Sequence, residues 1–124
     1  MGIKYDFRDA SGSALIPVDG SLQQFDLLGM SGDLNQHYPH IVFLNANGDI
    51  VNPTSTGNVT FLGSQSADPY VFDGMVNGEF PANTTQDDAR ERPIAGGPMV
   101  AARLILDSVS GNGVTHCKAM IWGY

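Results

Sequence analysis

Four groups of residues carry side chains that could do chemistry. His37-Tyr38-Pro39-His40 sets two imidazoles three residues apart, and imidazole nitrogen is a common zinc ligand. A metal centre needs further donors, and the remaining histidine, His116, stands far along the chain. Pro39 favours an extended chain before it, so residues 37–40 read as a polar loop entering a strand. Asn45, Asn47 and Asp49 alternate like the first oxygen ligands of a calcium loop. Ile50 and Val51 take the next places and no Glu follows before Glu79, so a hairpin turn accounts for the same residues. Asp87, Asp88 and Glu91 stand beside Arg90 and Arg92. Paired carboxylates can serve acid–base catalysis, but nothing in the neighbouring sequence suggests a pocket. The cluster reads as a solvated loop or as an ion-pair patch between subunits, where arginine suits paired contacts better than lysine. Cys117 follows His116, yet neighbours on a strand point to opposite faces, so Cys117 reads as a small buried hydrophobe.

Other motifs are weaker. Asn58-Val-Thr60 and Asn83-Thr-Thr85 match the N-glycosylation pattern, which matters only in a secreted chain. No basic-then-apolar leader opens the sequence, so none is expected. The serines lack a nucleophile-elbow context, and no glycine-rich run precedes a helix. We therefore expect no enzymatic activity, no cofactor and no metal.

The elements that must position these residues are short. Gly and Pro together supply 22 residues, from 15 Gly and 7 Pro, and they cut the chain into pieces too brief for most helices. Residues 1–12 alternate Ile3, Tyr5 and Phe7 against Lys4, Asp6 and Arg8, which predicts a first strand or an extended N-terminal arm. Residues 13–18 and 22–28 read as strands parted by Asp19-Gly20. Residues 40–45 form the most strongly apolar strand. Asn47-Gly48 then predicts a hairpin turn with positive φ at both central residues. Residues 58–62 place Val59 and Phe61 on one face, and residues 70–76 read as a further strand ending at Asn77-Gly78. Residues 81–97 read as a loop with a helical turn around 86–91. Residues 99–109 alternate Val100, Ala102, Leu104 and Leu106 against Ala101, Arg103, Ile105 and Asp107. Ser110-Gly-Asn-Gly113 turns the chain, and residues 114–122 run back, which predicts a long C-terminal hairpin. Its last strand has two registers. In one, Thr115, Cys117, Ala119 and Ile121 face the core while His116, Lys118, Met120 and Trp122 face out; in the other these sets exchange.

Composition sets the outer limits. The 124 residues fit one domain spanning 1–124. The longest clean apolar run, Ile41–Leu44, is strand-sized, far below the ~18–20 residues of a membrane helix. Six Lys and Arg against thirteen Asp and Glu give a charge of −7, so nucleic acid and anionic membranes are not expected partners. Charged residues are 15%, below the ~25% of average proteins, so the polar surface falls to Ser, Thr, Asn, Gln and Gly. Such a surface suits extracellular and virion β-proteins, or one largely covered by neighbouring chains. The single cysteine excludes an intrachain disulfide. About eight short strands with frequent turns predict an all-β sandwich, jelly-roll-like, with an extended N-terminal segment.

The C-terminal stretch running Ala102-Arg-Leu-Ile-Leu-Asp-Ser-Val-Ser-Gly, then Val-Thr-His-Cys-Lys-Ala-Met-Ile-Trp-Gly-Tyr124, resembles the closing hairpin of small β-sandwich structural proteins of tailed bacteriophages. The resemblance covers only this end of the chain and carries over no individual residue. It implies a virion role, as a head decoration (cement) protein or a tail, collar or fibre part. The partners would be the major capsid protein or other virion proteins, and copies of the chain itself, with a trimer favoured. Ile3, Tyr5 and Phe7, the Arg90 and Arg92 pair, and His116, Met120 and Trp122 are the residues expected at such contacts. A different reading is a glycan- or ligand-binding sandwich with Tyr38, Tyr70 or Trp122 as stacking platforms.

Overall fold

The computed structural model describes residues 2–53, 58–76 and 98–124, with the side chains of 58 and 73–76 left aside. Among these residues the protein is all-β. Its strands are β1 (Ile3–Asp6), β2 (Ile16–Pro17), β3 (Leu22–Leu28), β4 (His37–Asn45), β5 (Asn58–Ser64), β6 (Asp73–Val76), β7 (Ala101–Asp107) and β8 (Val114–Gly123). They form two antiparallel sheets. In the first, β8 is central, with β4 on one side and β1 and β2 end to end on the other. In the second the order is β3-β7-β5-β6.

The alternation foreseen in the sequence makes each sheet two-faced. Ala102, Leu104 and Leu106 of β7, Val59 and Phe61 of β5, Ile41 and Phe43 of β4, and Cys117, Ala119 and Ile121 of β8 form one core. The rings of Phe7 and Phe61 meet across it with centroids 5.8 Å apart. Burial of these side chains, at roughly 1.5–3 kcal/mol for each large one, is the main stabilising contribution.

Phe7 is fully buried, and its N–H continues the β1 ladder by donating to Ala119 O at 2.9 Å. Residues 3–7 are therefore paired in the sheet rather than forming a free arm, and Phe7 is a core residue rather than a partner contact. Residues 8–15 then leave the sheet and return to β8 as β2. Asp9 closes this excursion. Its Oδ1 accepts from Ser11 N, Ser11 Oγ and Ser13 N at 2.9, 2.7 and 2.9 Å.

The long C-terminal hairpin does not form. β7 pairs with β3 and β5, and β8 pairs with β1, β2 and β4, so the two lie in different sheets. Each strand already has neighbours on both sides, and their buried faces oppose one another across the core. The link between them turns the corner through left-handed residues Ser108, Gly111, Asn112 and Gly113, at φ of 60°, 105°, 51° and 74°. Glycine takes such values at little cost.

The turn after β4 also differs in type from the expectation. Gly48 N donates to Asn45 O at 3.0 Å and Asn45 N to Asp49 O at 2.9 Å. Gly48 is at φ 84°, while Asn47 is not among the positive-φ residues. This is the three-residue loop built on a type I turn with a left-handed glycine. β4 begins at His37, because the fixed φ of Pro39 suits an extended chain and Pro39 keeps its register opposite Ile121. The expected turn at Asn77-Gly78 and loop at 81–97, with Arg90, Arg92, Asp87, Asp88 and Glu91, lie outside the described residues.

Candidate functional site

β8 settles its two registers by burial. Cys117, Ala119 and Ile121 are no more than 2% exposed, and His116, Lys118, Met120 and Trp122 point away from the core. β4 does the same one strand over. His37, Pro39, Ile41 and Phe43 face in, and Tyr38, His40, Val42 and Leu44 face out, each part-exposed. Opposed residues in a sheet share a face, so the register assembles the outer surface row by row. Lys4, Trp122 and Tyr38 form one row, and Asp6, Met120 and His40 the next. Lys118 then stands opposite Val42, and His116 opposite Leu44 and Pro17. An aromatic and aliphatic band thus crosses a solvent-side face, with Lys4 and Asp6 on its β1 edge and Lys118 within it.

Tyr124 extends the band. Its ring meets Tyr38 edge-on, with centroids 5.8 Å apart and planes at 71°. The Tyr38 hydroxyl donates to Gln36 Oε1 at 2.9 Å. Tyr124 N donates to Gln36 O at 2.8 Å, and Asn35 and Gln36 donate back to Tyr124 O. Weak ion pairs of Asp6 with Lys4 (3.7 Å) and Arg8 (3.9 Å) mark the rim. A cleft of about 290 Å³ lined by Leu15, Leu44, Asn45, Ala46, Gly48, His116 and Lys118 opens at the other end.

The structure separates several groups that the sequence set close. His37 and His40 lie on opposite faces, because an odd spacing on a strand changes face, so they do not form a metal pair. No group of three His, Cys, Asp or Glu able to hold a metal occurs among the described residues. Asn45 Oδ1 accepts the N–H groups of Asn47 and Asp49, both at 2.9 Å; the calcium-like alternation is a turn closing on itself. His116 Nδ1 pairs with Thr115 Oγ1 at 2.8 Å and sits across the sheet from Cys117.

Cys117 is fully buried, and loss of solvation pushes its thiol up to about 12. The nucleophile is the thiolate, so the folded protein is expected to leave Cys117 unmodified by a thiol reagent at pH 8. Modification should appear only as the chain unfolds in urea. Rapid labelling under native conditions would contradict this.

The three proposed stacking aromatics do not converge. Tyr38 and Trp122 are neighbours on the first sheet. Tyr70 stacks on Phe72 (6.1 Å between centroids, 21° between planes), and Phe72 lies under the Arg103 guanidinium, 4.1 Å from it. Arg103 belongs to the outer face of the second sheet, held to Asp26 by two hydrogen bonds of 2.7 and 3.1 Å. Of the expected contact residues, Met120, Trp122 and His116 share the outer face of the first sheet. Ile3 is 43% exposed but lies on the core-side parity at the sheet's end. Tyr5 packs against the core, and its hydroxyl accepts from Ser31 N at 3.1 Å. Sequence reasoning named Tyr38 only as a stacking platform for a ligand, and missed Val42 and Leu44 on this face. Their signal was the same alternation, counted along β4 from Ile41.

The chain matches no family model, no curated protein and no solved structure. No helix among the described residues is long and apolar enough to cross a membrane.

Proposed function

We propose that this protein is a virion structural subunit, a head decoration protein that binds capsid subunits through the outer face of its first sheet. The observation that carries the reading is the band of Trp122, Met120, Tyr38, Val42 and Leu44 on the side turned away from the core. These side chains are part-exposed, and aromatic and methionine anchors on an outer face are typical of protein contact surfaces. The strand order supports a jelly roll. The chain changes sheet between β2 and β3, β3 and β4, β4 and β5, and β7 and β8, giving sheets of order β4-β8-(β1/β2) and β3-β7-β5-β6, and jelly rolls are used by viral capsid proteins, lectins and cupins. Fold alone does not decide among these uses; the contact face favours assembly. The role is passive. The subunit acts as no enzyme, and by binding only the assembled shell it stabilises that shell by mass action. Self-association belongs to this reading, as does a tail, collar or fibre location.

The test is co-sedimentation with undecorated capsid shells of the same virus. Wild-type protein should pellet with shells. Trp122→Ala with Met120→Ala should weaken association at least about 30-fold, the effect of losing an anchor worth about 2 kcal/mol, with unfolding midpoint little changed. Failure of the wild type to bind shells or other virion parts overturns the reading. Sugar binding lost in Tyr38→Ala and Trp122→Ala would support a ligand-binding module instead.

A further inference from the structure

The second sheet has one protected edge and one open edge. β6 is a four-residue strand, and its pairing with β5 is irregular between Phe61 and Leu62. Short or bulged strands discourage pairing with a further chain. β3 at the other edge has seven residues in unbroken register with β7, from Leu22 opposite Asp107 to Leu28 opposite Ala101. Among the described residues β7 is its only strand partner. It holds no proline, no lysine and no bulge. Its one charge, Asp26, is already engaged by Arg103. Its outer face exposes Leu22 and Leu28, at 70% and 54%, with Gln24 and Asp26 between them. A long regular edge with exposed leucines is a template for strand addition.

We propose that the β3 edge is a homodimer interface, in which β3 of a second copy adds antiparallel across a two-fold axis at Phe25 and joins the two second sheets into one. The sequence of β3 argues for a second copy as the occupant, because Leu22-Gln-Gln-Phe-Asp-Leu-Leu28 is complementary to its own reverse. With the axis at Phe25, Leu22 stands opposite the second copy's Leu28, and Gln24 opposite the second copy's Asp26. All four lie on the outer face. On the inner face Gln23 meets Leu27, and Phe25 meets its own equivalent. Each exposed leucine gains an apolar neighbour, and the Gln24 amide gains a carboxylate with lone pairs to spare beyond those Arg103 uses. Shifting the axis to Asp26 would oppose the two Asp26 carboxylates, and like charges directly opposite are unfavourable. Shifting it to Gln24 would set Leu22 against Asp26 and leave two residues unpaired. The Phe25 axis alone uses the whole strand. Such a contact is isologous and closes at two copies. One strand per copy is small beside a standard interface of ~1,600 Å², so the dissociation constant is expected on the order of micromolar. The proposal stands apart from the virion reading.

The test is light scattering over a series from about 1 µM to about 1 mM, a range that brackets such a constant. The wild type should pass from monomer to dimer. Leu22→Lys with Leu28→Lys should remain monomeric with its unfolding midpoint retained, since both leucines are already exposed. The register has its own readout. Directly opposed antiparallel residues have Cα atoms about 4.5–5.5 Å apart, within reach of a disulfide. Under mild oxidation Leu22→Cys with Leu28→Cys should give a covalent dimer, and neither single substitution should. A wild type monomeric throughout the series, a dimer indifferent to the two lysines, or a double-cysteine chain that does not cross-link would overturn the proposal.

Discussion

Replacing Phe7 with alanine is expected to cost about 3–5 kcal/mol of folding stability, the usual range for deleting a buried phenylalanine. The ring is fully buried and touches Phe61 of the opposite sheet at 5.8 Å between centroids. Its removal takes apolar surface out of the core and leaves a cavity between the sheets, which the strands cannot close without giving up their ladders. Ile3, four residues earlier and 43% exposed, provides the contrast. Ile3→Ala should cost less than about 1 kcal/mol, as substitutions away from the core do. Urea unfolding of the two variants beside the wild type measures both. A Phe7→Ala loss below that of Ile3→Ala would mean that the N-terminal strand does not pack as seen. The result bears on function as well. If residues 1–12 are part of the sandwich, deleting them unfolds the subunit, and such a deletion says nothing about partner binding.

How far the sequence could be read follows from what alternation encodes. A period of two specifies which face a side chain takes, and that is where the reading succeeded. Ala102, Leu104 and Leu106 of β7 share one core face as their alternation implies, β8 takes one of the two registers foreseen for it, and β3 has its expected bounds. Alternation carries no information about what lies beside a strand or across from it. Ser110-Gly-Asn-Gly113 fits a tight hairpin as well as a corner between sheets, and the corner forms because each flanking strand has neighbours on both sides. Ile3, Tyr5 and Phe7 would alternate alike on an arm or in a sheet. The outer face of the first sheet was half legible. β8 displayed it as one of two registers; on β4, Tyr38 was hidden by taking Pro39 for the end of a loop, and Val42 and Leu44 by a run apolar on both faces, in which alternation gives no contrast. The edge of β3 is a matter of topology, so its exposure could not be read before the strand order was known.

His37 shows what that misjudged boundary concealed, and it supplies the other large effect. Counting back from Ile41 through Pro39 puts His37 on the core face, and it is fully buried there. Neither ring nitrogen has a hydrogen-bond partner among the described residues. Its surroundings are Gly123 opposite in the register, with Leu34 and Tyr5 close to the same glycine; Tyr5 is the titratable group among them. Burial without a partner disfavours the charged imidazolium and moves the His37 pKa below its ordinary value of 6.5. The sign follows from linkage. Above about pH 6.5 folded and unfolded chains both hold neutral His37, and stability is unaffected. Below it the unfolded chain takes up a proton that the folded chain refuses, so stability falls with acidification, at a limiting slope of about 1.4 kcal/mol per pH unit for one proton. Asp9 and Asp19, whose pKa values are lowered from 3.8 by hydrogen bonds from Ser11, Ser13 and Ser21, lose their contribution only at lower pH, so the two windows separate. His37→Leu should therefore do two things. Near pH 8 it should stabilise the fold by about 1–3 kcal/mol, because buried polar atoms without partners are removed. Between about pH 6.5 and 5 it should also flatten the fall in stability that linkage imposes on the wild type. Urea midpoints at a series of pH values read both effects. A His37→Leu protein that loses stability with acidification as steeply as the wild type would assign that limb to other groups.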